Sequence, residues 1–322
     1  MNHEALKNFV ADGVEKCRVL VVGDAMLDKY YFGEVTRISP EAPVPINRVT
    51  KIKETLGGAA NVAHNLALLG CQTSLIAQAG ADVHGETLTK KLISRGIDVT
   101  GVVQTEKPTT TKIRVIGGNQ QMLRLDFEDT AAADAQEILT EVFARLENVD
   151  AAIISDYGKG VCTEEICAEI IRACRSKNKI VVVDPKGDDW QKYSGANFIT
   201  PNLKELNAVL PKKISNVDAE VEAAARGVIE KFALEGLVVT RSAEGLTLVD
   251  GEKIFHVKAK AQEVFDVSGA GDTVIAVFAM GIAGKLKSEL AAYLANAAAG
   301  VVVAKVGTYA VSRAELLQTL EG

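Results

Sequence analysis

The stretch Asp266 to Met280, DVSGAGDTVIAVFAM, sets two glycines and an acid immediately before a long apolar run. The run from Thr273 reads as a helix, so the amides of Gly269 and Gly271 would crown its N-terminus, where backbone N–H groups attract phosphate. Asp272 would repel a phosphate in that crown. Its presence points to chemistry, although an aspartate in a first helical turn is also an ordinary cap. Taken alone, GAGD leaves both readings open.

A second stretch, Leu56 to Gly70, reads LGGAANVAHNLALLG. Gly57 and Gly58, followed by two alanines and Asn61, put small side chains at the start of a helix whose buried face carries Val62, Leu66 and Leu69. That pattern makes room for a ligand beside the backbone, or equally for close helix–sheet packing. Asn61 and Asn65 are four residues apart, share a helix face and could donate to hydroxyl groups. His64 reads as a structural or surface histidine.

The elements that must position these groups follow from the apolar runs RVLVVGD (18–24), AAIISD (151–156), KIVVVDP (179–185), NFITPN (197–202) and GLVVT (236–240). Continuous β-branched runs suit central strands covered on both faces. Helical patterns at about 84–95, 134–146, 162–177, 202–209 and 217–233 alternate with them, which predicts βαβ units and a parallel sheet. Each run ends in polar residues: Asp24, Asp156, Asp184 with Lys186, Asn202, and Thr240 with Arg241. In an open parallel sheet those ends share one ligand-binding rim. Residues 30–56 and 109–127 break the alternation. They predict a small sheet, with a hairpin turning at Gly117-Gly118-Asn119, that either projects as a lid and excludes water or is an ordinary edge extension.

The chain has 322 residues, 48% hydrophobic and 24% charged, enough for a large α/β core; we read residues 1–322 as one domain. A net charge of −6 excludes a basic nucleic-acid or acidic-membrane surface, so an anionic substrate needs a local cluster of cations. Five cysteines, an odd number without a CxxC pair, predict buried free thiols and a reducing cytoplasm; Cys162, Cys167 and Cys174 are expected on one amphipathic helix. No apolar signal segment opens the chain, and the Ala-rich stretch 289–305 is too short to span a membrane.

GGAANVAHNLALLG and DVSGAGDTVIAVFAM, in that order and at that separation, resemble the paired signatures of the ribokinase-like (PfkB) carbohydrate kinases, over essentially the whole chain. GDAMLDKYYFGEVTRISPEAPVPI, ISDYGKG (154–160) and TPNLKEL (200–206) are similar to family members that phosphorylate a heptose 7-phosphate on its anomeric oxygen, a step toward lipopolysaccharide core heptose. The resemblance implies a three-layer α/β fold, mainly parallel, with a β lid. It implies ATP and Mg²⁺ as cofactors, with a monovalent cation as a further option.

By the same resemblance Asp272 is the base, and the amides of Gly269, Ala270, Gly271 and Asp272 itself stabilise the transferring phosphoryl group. Asn202, Lys204 and Glu205 organise nucleotide phosphates and metal, with Glu205 acting on Mg²⁺ through water. Thr240, Arg241 and Gly245 occupy the nucleotide segment, where Ser242 replaces a family glycine, and Asn296, Ala299 and Gly300 form an adenine wall. Asp24, Gly57, Gly58 and Asn61 fall on the sugar. For the sugar's own phosphate the leading cation is Lys186, followed by Arg114, Arg124, Arg37 and Lys159. A homodimer through the lid's strand edges is expected. The chain has room for the kinase alone, whereas some relatives add a nucleotidyltransferase domain.

Other readings rank lower. GAGDTV lacks the last glycine or alanine of G-x-G-x-x-G and its βαβ setting, and no P-loop occurs. A kinase of another sugar, or a non-catalytic sugar or nucleotide sensor, stays open; an assay of ATP consumption separates the sensor from the kinase.

Overall fold

The computed structural model describes residues 3–118, 120–259, 264–305 and 307–321. Among the described residues thirteen strands are formed: β1 Arg18–Gly23, β2 Ala25–Ile38, β3 Pro45–Gly58, β4 Gln72–Gly80, β5 Asp98–Thr105, β6 Thr111–Gly117, β7 Gln120–Phe127, β8 Ala151–Ser155, β9 Ile180–Asp184, β10 Phe198–Ile199, β11 Gly236–Thr240, β12 Leu246–Asp250 and β13 Lys253–Val257. Nine of them make one sheet in the order β13-β12-β11-β10-β9-β8-β1-β4-β5, and β3-β2-β6-β7 make the second. From β11 to β5 every neighbouring pair is parallel; β12 and β13 add an antiparallel edge.

The side-chain period of two along a strand divides each apolar run between two cores. Val19 and Val21 of β1 enter one, with helices Ala59–Leu69, Ala270–Ala283 and Ser288–Val302; Leu20 and Val22 enter the other, with helices Ala135–Leu146, Glu164–Ser176 and Asp218–Phe232. This is why β1 and β8 are apolar at successive positions. The five runs predicted from sequence lie side by side as β11-β10-β9-β8-β1, so their carboxyl ends do form one rim.

Two predicted features shift. Cys162 precedes the helix Glu164–Ser176 instead of lying on it, while all five cysteines are free and buried as expected. The 197–202 run yields only the two-residue β10, extended by a single bridge from Asn202 to Thr240. Strands β4, β5, β12 and β13 had no counterpart among the predicted runs. The hairpin forms, with Gly118 at φ 60°, and Asn119 lies outside the described residues. Among the described residues no helix is long and apolar enough to cross a membrane.

The second sheet grows out of the first. Only Asp24 separates β1 from β2, and β3 runs directly into helix Ala59–Leu69 through Gly57 and Gly58. β2 and β3 pair antiparallel, β2 and β6 parallel, β6 and β7 antiparallel.

Candidate active site

Asp272 sits in the first turn of helix Ala270–Ala283, just after Gly269, whose φ of 81° takes the left-handed turn into the helix. Its carboxylate is 4% exposed and held by two neutral donors. The Asn61 carboxamide donates to Oδ2 at 2.6 Å, and the Tyr157 hydroxyl donates to Oδ1. Burial pushes this carboxyl above the usual aspartate range; the Asn61 and Tyr157 hydrogen bonds pull it back, and the charge of Asp28 adds to the rise. A side chain built at Gly271 would meet nothing within 4 Å, so the helix head is open to a ligand. Ala270 does not contribute to the open crown in this structure, because its N–H is turned onto the Val267 carbonyl at 3.2 Å. Gly271 and Asp272 keep the orphan N–H groups of a helix start.

The sugar-side acid suggested by sequence, Asp24, has a different task. It is 2% exposed, and its carboxylate accepts the N–H groups of Tyr157, Lys159 (both 2.9 Å) and Val161 (3.0 Å), which uses it to hold the loop after β8. Asp28, four residues on, is the acid beside the site. It lies against Gly57, where an added Cβ would fall 2.5 Å from Asp28 Oδ2, and it acts on Asp272 electrostatically. Gly58, at φ 56°, brings the chain within 2.4 Å of Asp24 O for any added Cβ. Asn61 is buried and gives one carboxamide N–H to Asp272. Asn65 donates to the Asn61 carbonyl and accepts from Thr273, which makes it part of the scaffold.

Strand register decides which cations face the site. Arg114 on β6 pairs with Tyr30 on β2 and with Arg124 on β7, and Tyr30 pairs with Lys53 on β3. Directly paired residues share a sheet face. That face looks at the helix head: Thr55, paired with Asp28, accepts a 2.7 Å hydrogen bond from Thr308, and Thr308 lies 3.7 Å from a Cβ built at Gly269. Arg114 is bonded to Asp28 at 2.5 Å and stacks over Tyr30; Arg124 is held bidentately by Asp126 at 2.9 and 3.0 Å. Lys159 pairs with Glu128 at 2.7 Å, and Arg37 is exposed toward the tip of β2, away from the helix head.

At the other end of the rim, Asn202 and Glu205 form a capping box: Asn202 Oδ1 accepts the Glu205 N–H and Glu205 Oε2 accepts the Asn202 N–H, each at 2.9 Å. Burial raises the Glu205 carboxyl, while Asn202, Lys186 and Lys204 lower it. Asp184 is raised well above its ordinary range, by burial first and then by the charges of Glu205 and Asp272. Oxygen donors whose charges oppose one another suit a hard, hydrated divalent cation, so Glu205 and Asp184 fit Mg²⁺. Lys186 offsets both carboxyls. Lys186 therefore stands with the carboxyls at this end of the rim.

Thr240 bridges to Asn202 and donates its N–H to Pro201 O at 2.9 Å. Arg241 is not available to a phosphate as arranged here: buried at 3% exposure, it makes four hydrogen bonds to Asn216, Asp218 and Thr247. Ser242 adopts φ 54°, so it keeps the left-handed backbone that a glycine takes easily, and Gly245 is required because a Cβ there would fall 1.9 Å from Val257 O. Asn296 ties helix Ser288–Val302 to the Lys258 carbonyl, and a side chain built at Gly300 would meet open space.

Sequence reasoning missed Asp28 and Tyr157, both inside motifs it had singled out. Asp28 belongs to GDAMLDKYYF and Tyr157 to ISDYGKG. A rule that reads only strand ends favours Asp24, whereas Asp28 reaches the site because β2 continues from β1 almost without a turn.

A buried acid held by neutral donors at an open helix head, opposite a rim of metal-compatible carboxyls, defines a site for transferring an anionic group to a hydroxyl. The chain belongs to the pfkB family of carbohydrate kinases, whose family model matches residues 16–315. It is 44% identical over 326 residues to the bifunctional protein HldE of Desulfatibacillum aliphaticivorans and 45% identical over 311 residues to that of Shewanella amazonensis. These alignments cover 100% and 95% of this chain but 66% and 64% of those proteins, so the chain spans less than two thirds of the length of the relatives it matches. Its fold is ribokinase-like. Phosphofructokinase-2 from Escherichia coli in complex with potassium superposes with a TM-score of 0.79 at 21% identity, covering 95% of this chain and 98% of that one. Arabidopsis thaliana ribokinase complexed with ribose and ATP gives 0.76 at 20% identity, with 95% and 99% covered.

Proposed function

We propose that the protein transfers the γ-phosphoryl group of ATP to the anomeric O1 of D-glycero-β-D-manno-heptose 7-phosphate, giving the 1,7-bisphosphate. The observation that carries this reading is the pairing of Asp272, buried at the head of its helix, with a lid face on which Arg114 and Arg124 stand together. A hydroxyl acceptor needs the first, and an acceptor with its own distal phosphate needs the second. The resemblance of the GDAMLDKYYF, ISDYGKG and TPNLKEL stretches to heptose-phosphate kinases supplies the choice of sugar, and the HldE relatives agree with it.

In this mechanism Asp28 accepts from a sugar hydroxyl and orients the ring. Asp272 takes the proton of O1 as O1 bonds to the γ-phosphorus; the bond from that phosphorus to the β–γ bridging oxygen breaks, and ADP leaves with the electron pair. The proton on Asp272 passes to solvent when the site opens. The N–H groups of Gly271 and Asp272 face the developing charge, which is how positioned dipoles assist phosphoryl transfer. Bound Mg²⁺ at Glu205 and Asp184, in part through water, would neutralise charge on the nucleotide phosphates.

The lid also supports a homodimer. Ile52, Leu123, Leu125 and Phe127 share the face opposite the cations and are 41–55% exposed. An apolar sheet face of this kind gives a firmer reason for association than the strand edges do. Five free, buried thiols are consistent with the cytoplasm as the working compartment.

The test is a panel of free and phosphorylated sugars with ATP and Mg²⁺, reading the position of the new phosphate. Phosphorylation at O1 of the heptose 7-phosphate, with free heptose a poor acceptor, is expected. A better rate on an unphosphorylated sugar overturns the substrate assignment, and ATP-independent binding without turnover overturns the kinase.

A further inference from the structure

The loop after β8 is held far more firmly than a turn between a strand and a helix requires. Asp24 accepts three of its N–H groups, from Tyr157, Lys159 and Val161. Asp156, also buried, accepts the Gly158 N–H at 2.7 Å and is itself fixed by the Tyr193 hydroxyl and by Lys192 Nζ, each at 2.5 Å. Gly158 and Gly160 take φ values of 66° and 103°, open to glycine and strained for other residues. A Cβ on Gly58 would fall 3.4 Å from the Tyr157 ring, so the ring lies against the start of helix Ala59–Leu69. Two buried acids and two left-handed glycines thus converge on one side chain, whose hydroxyl ends on Asp272 Oδ1.

We propose that Tyr157 is a positioning residue for the base: its hydroxyl and the Asn61 carboxamide grip one oxygen each of Asp272, so that the remaining lone pairs face the acceptor hydroxyl. This rests on the reading of Asp272 as the base. A carboxylate free to rotate about its last torsion would meet the acceptor in the right geometry only part of the time, and a near-attack arrangement is where much of an enzyme's advantage lies. The two donors also stabilise the ionised form, which the base needs before it can accept a proton. The charged and titratable groups acting on Asp272 are Asp28 from β2 and Asp184 from the end of β9; Glu205 and Asp184 act on Tyr157. All three are acids and disfavour ionisation, so the neutral donors carry the opposing effect.

Tyr157→Phe keeps the ring and removes only the donor. We expect kcat to fall about 10–100-fold, with the KM for ATP and for the sugar phosphate each within about threefold, because the loss falls on the transition state. In ¹³C carboxyl spectra of the ligand-free protein, with the Asp272 resonance assigned through Asp272→Asn, its titration midpoint should move up by about one pH unit, a tenfold change in the ratio of ionised to protonated form. An unmoved Asp272 midpoint overturns the proposal, and so does a variant whose kcat is unchanged. A loss that falls on both KM values, or a midpoint unmoved while thermal stability drops, assigns Tyr157 a structural role and also overturns it. The spectroscopic arm needs no substrate, so it fails separately from the kinase reading, which fails if the wild-type protein phosphorylates no sugar.

Discussion

Asn61 and Asp272, 211 residues apart in the chain, are joined by a 2.6 Å hydrogen bond inside the protein. The bond links the two stretches whose composition first pointed to chemistry, and it makes the acid of one the partner of the amide of the other. Replacing the acid tests its role. Asp272→Asn should fold and lose about 10²–10⁴-fold in turnover, the range for a positioned base. Turnover near that of the wild type removes Asp272 from the mechanism.

The same carboxyl makes a prediction about pH. Its folded value lies above that of an exposed aspartate, chiefly through burial. As a base it must be ionised, so kcat/KM should fall on acidification at a higher pH than an ordinary aspartate would give. For stability the sign is opposite: a raised folded value favours folding where the group is protonated, and that contribution disappears as pH rises through the folded value. Asp272→Asn should therefore melt higher than the wild type at neutral pH, and the gap should narrow in melts at progressively lower pH. A gap that widens on acidification contradicts the assignment.

Asp24 and Asp28 should separate cleanly. Asp24→Asn leaves at least one of the three N–H groups it holds without an acceptor and should cost about 1–3 kcal/mol of stability, read from denaturant unfolding, with smaller effects on substrate KM. Asp28→Asn should spare stability more and raise the KM of the sugar phosphate. If the two variants exchange these phenotypes, the reassignment from Asp24 to Asp28 is wrong.

Arg114→Ala and Arg124→Ala should each raise the KM for the phosphorylated acceptor by tenfold or more, about 1.4 kcal/mol, the scale of one charge-assisted contact. The KM for ATP should stay within a few-fold. Lys186→Ala should do the reverse, since its charge acts on Asp184 and Glu205, and initial-rate kinetics on both substrates distinguish the two patterns.

Glu205→Gln should raise the Mg²⁺ concentration for half-maximal rate and weaken the capping box by about 1 kcal/mol. Leu125→Glu, on the apolar lid face, should give a monomeric mass in light scattering if that face joins two copies. A wild-type monomer at working concentration removes the dimer altogether.

Much of the architecture was legible because central parallel strands leave long apolar runs: RVLVV and IVVV are unmistakable once both faces are buried. β4 was hidden by Gln72, Thr73, Ser74 and Gln78, polar residues interleaved with Leu75 and Ile76 along a strand of the same sheet. β5 and β13 are edge strands with half-exposed patterns, where burial leaves a weaker trace. Within the site, Asp272 and the NxxE pair were readable from local motifs. The tasks of Asp24, Arg241 and Lys186 were not, because a charged residue at a strand end looks the same whether it faces a ligand or three backbone N–H groups. Only the packing of distant segments decides that.

Every residue from Asp272 to Gly281 is buried, and at Gly281 the following helix comes so close that an added Cβ would meet the Ala291 Cβ at 2.8 Å. Asp272, the proposed proton acceptor, is thus mounted on an axle packed along its length, while Arg114 and Arg124 sit on the second sheet, whose strands β2 and β3 leave the body at Asp24 and Gly58. In the proposed mechanism the base thus stands on one element and the cations that select the acceptor on another, with Asp28 the link between them. Changes on the lid can retune which sugar is admitted while the machinery beneath stays as it is.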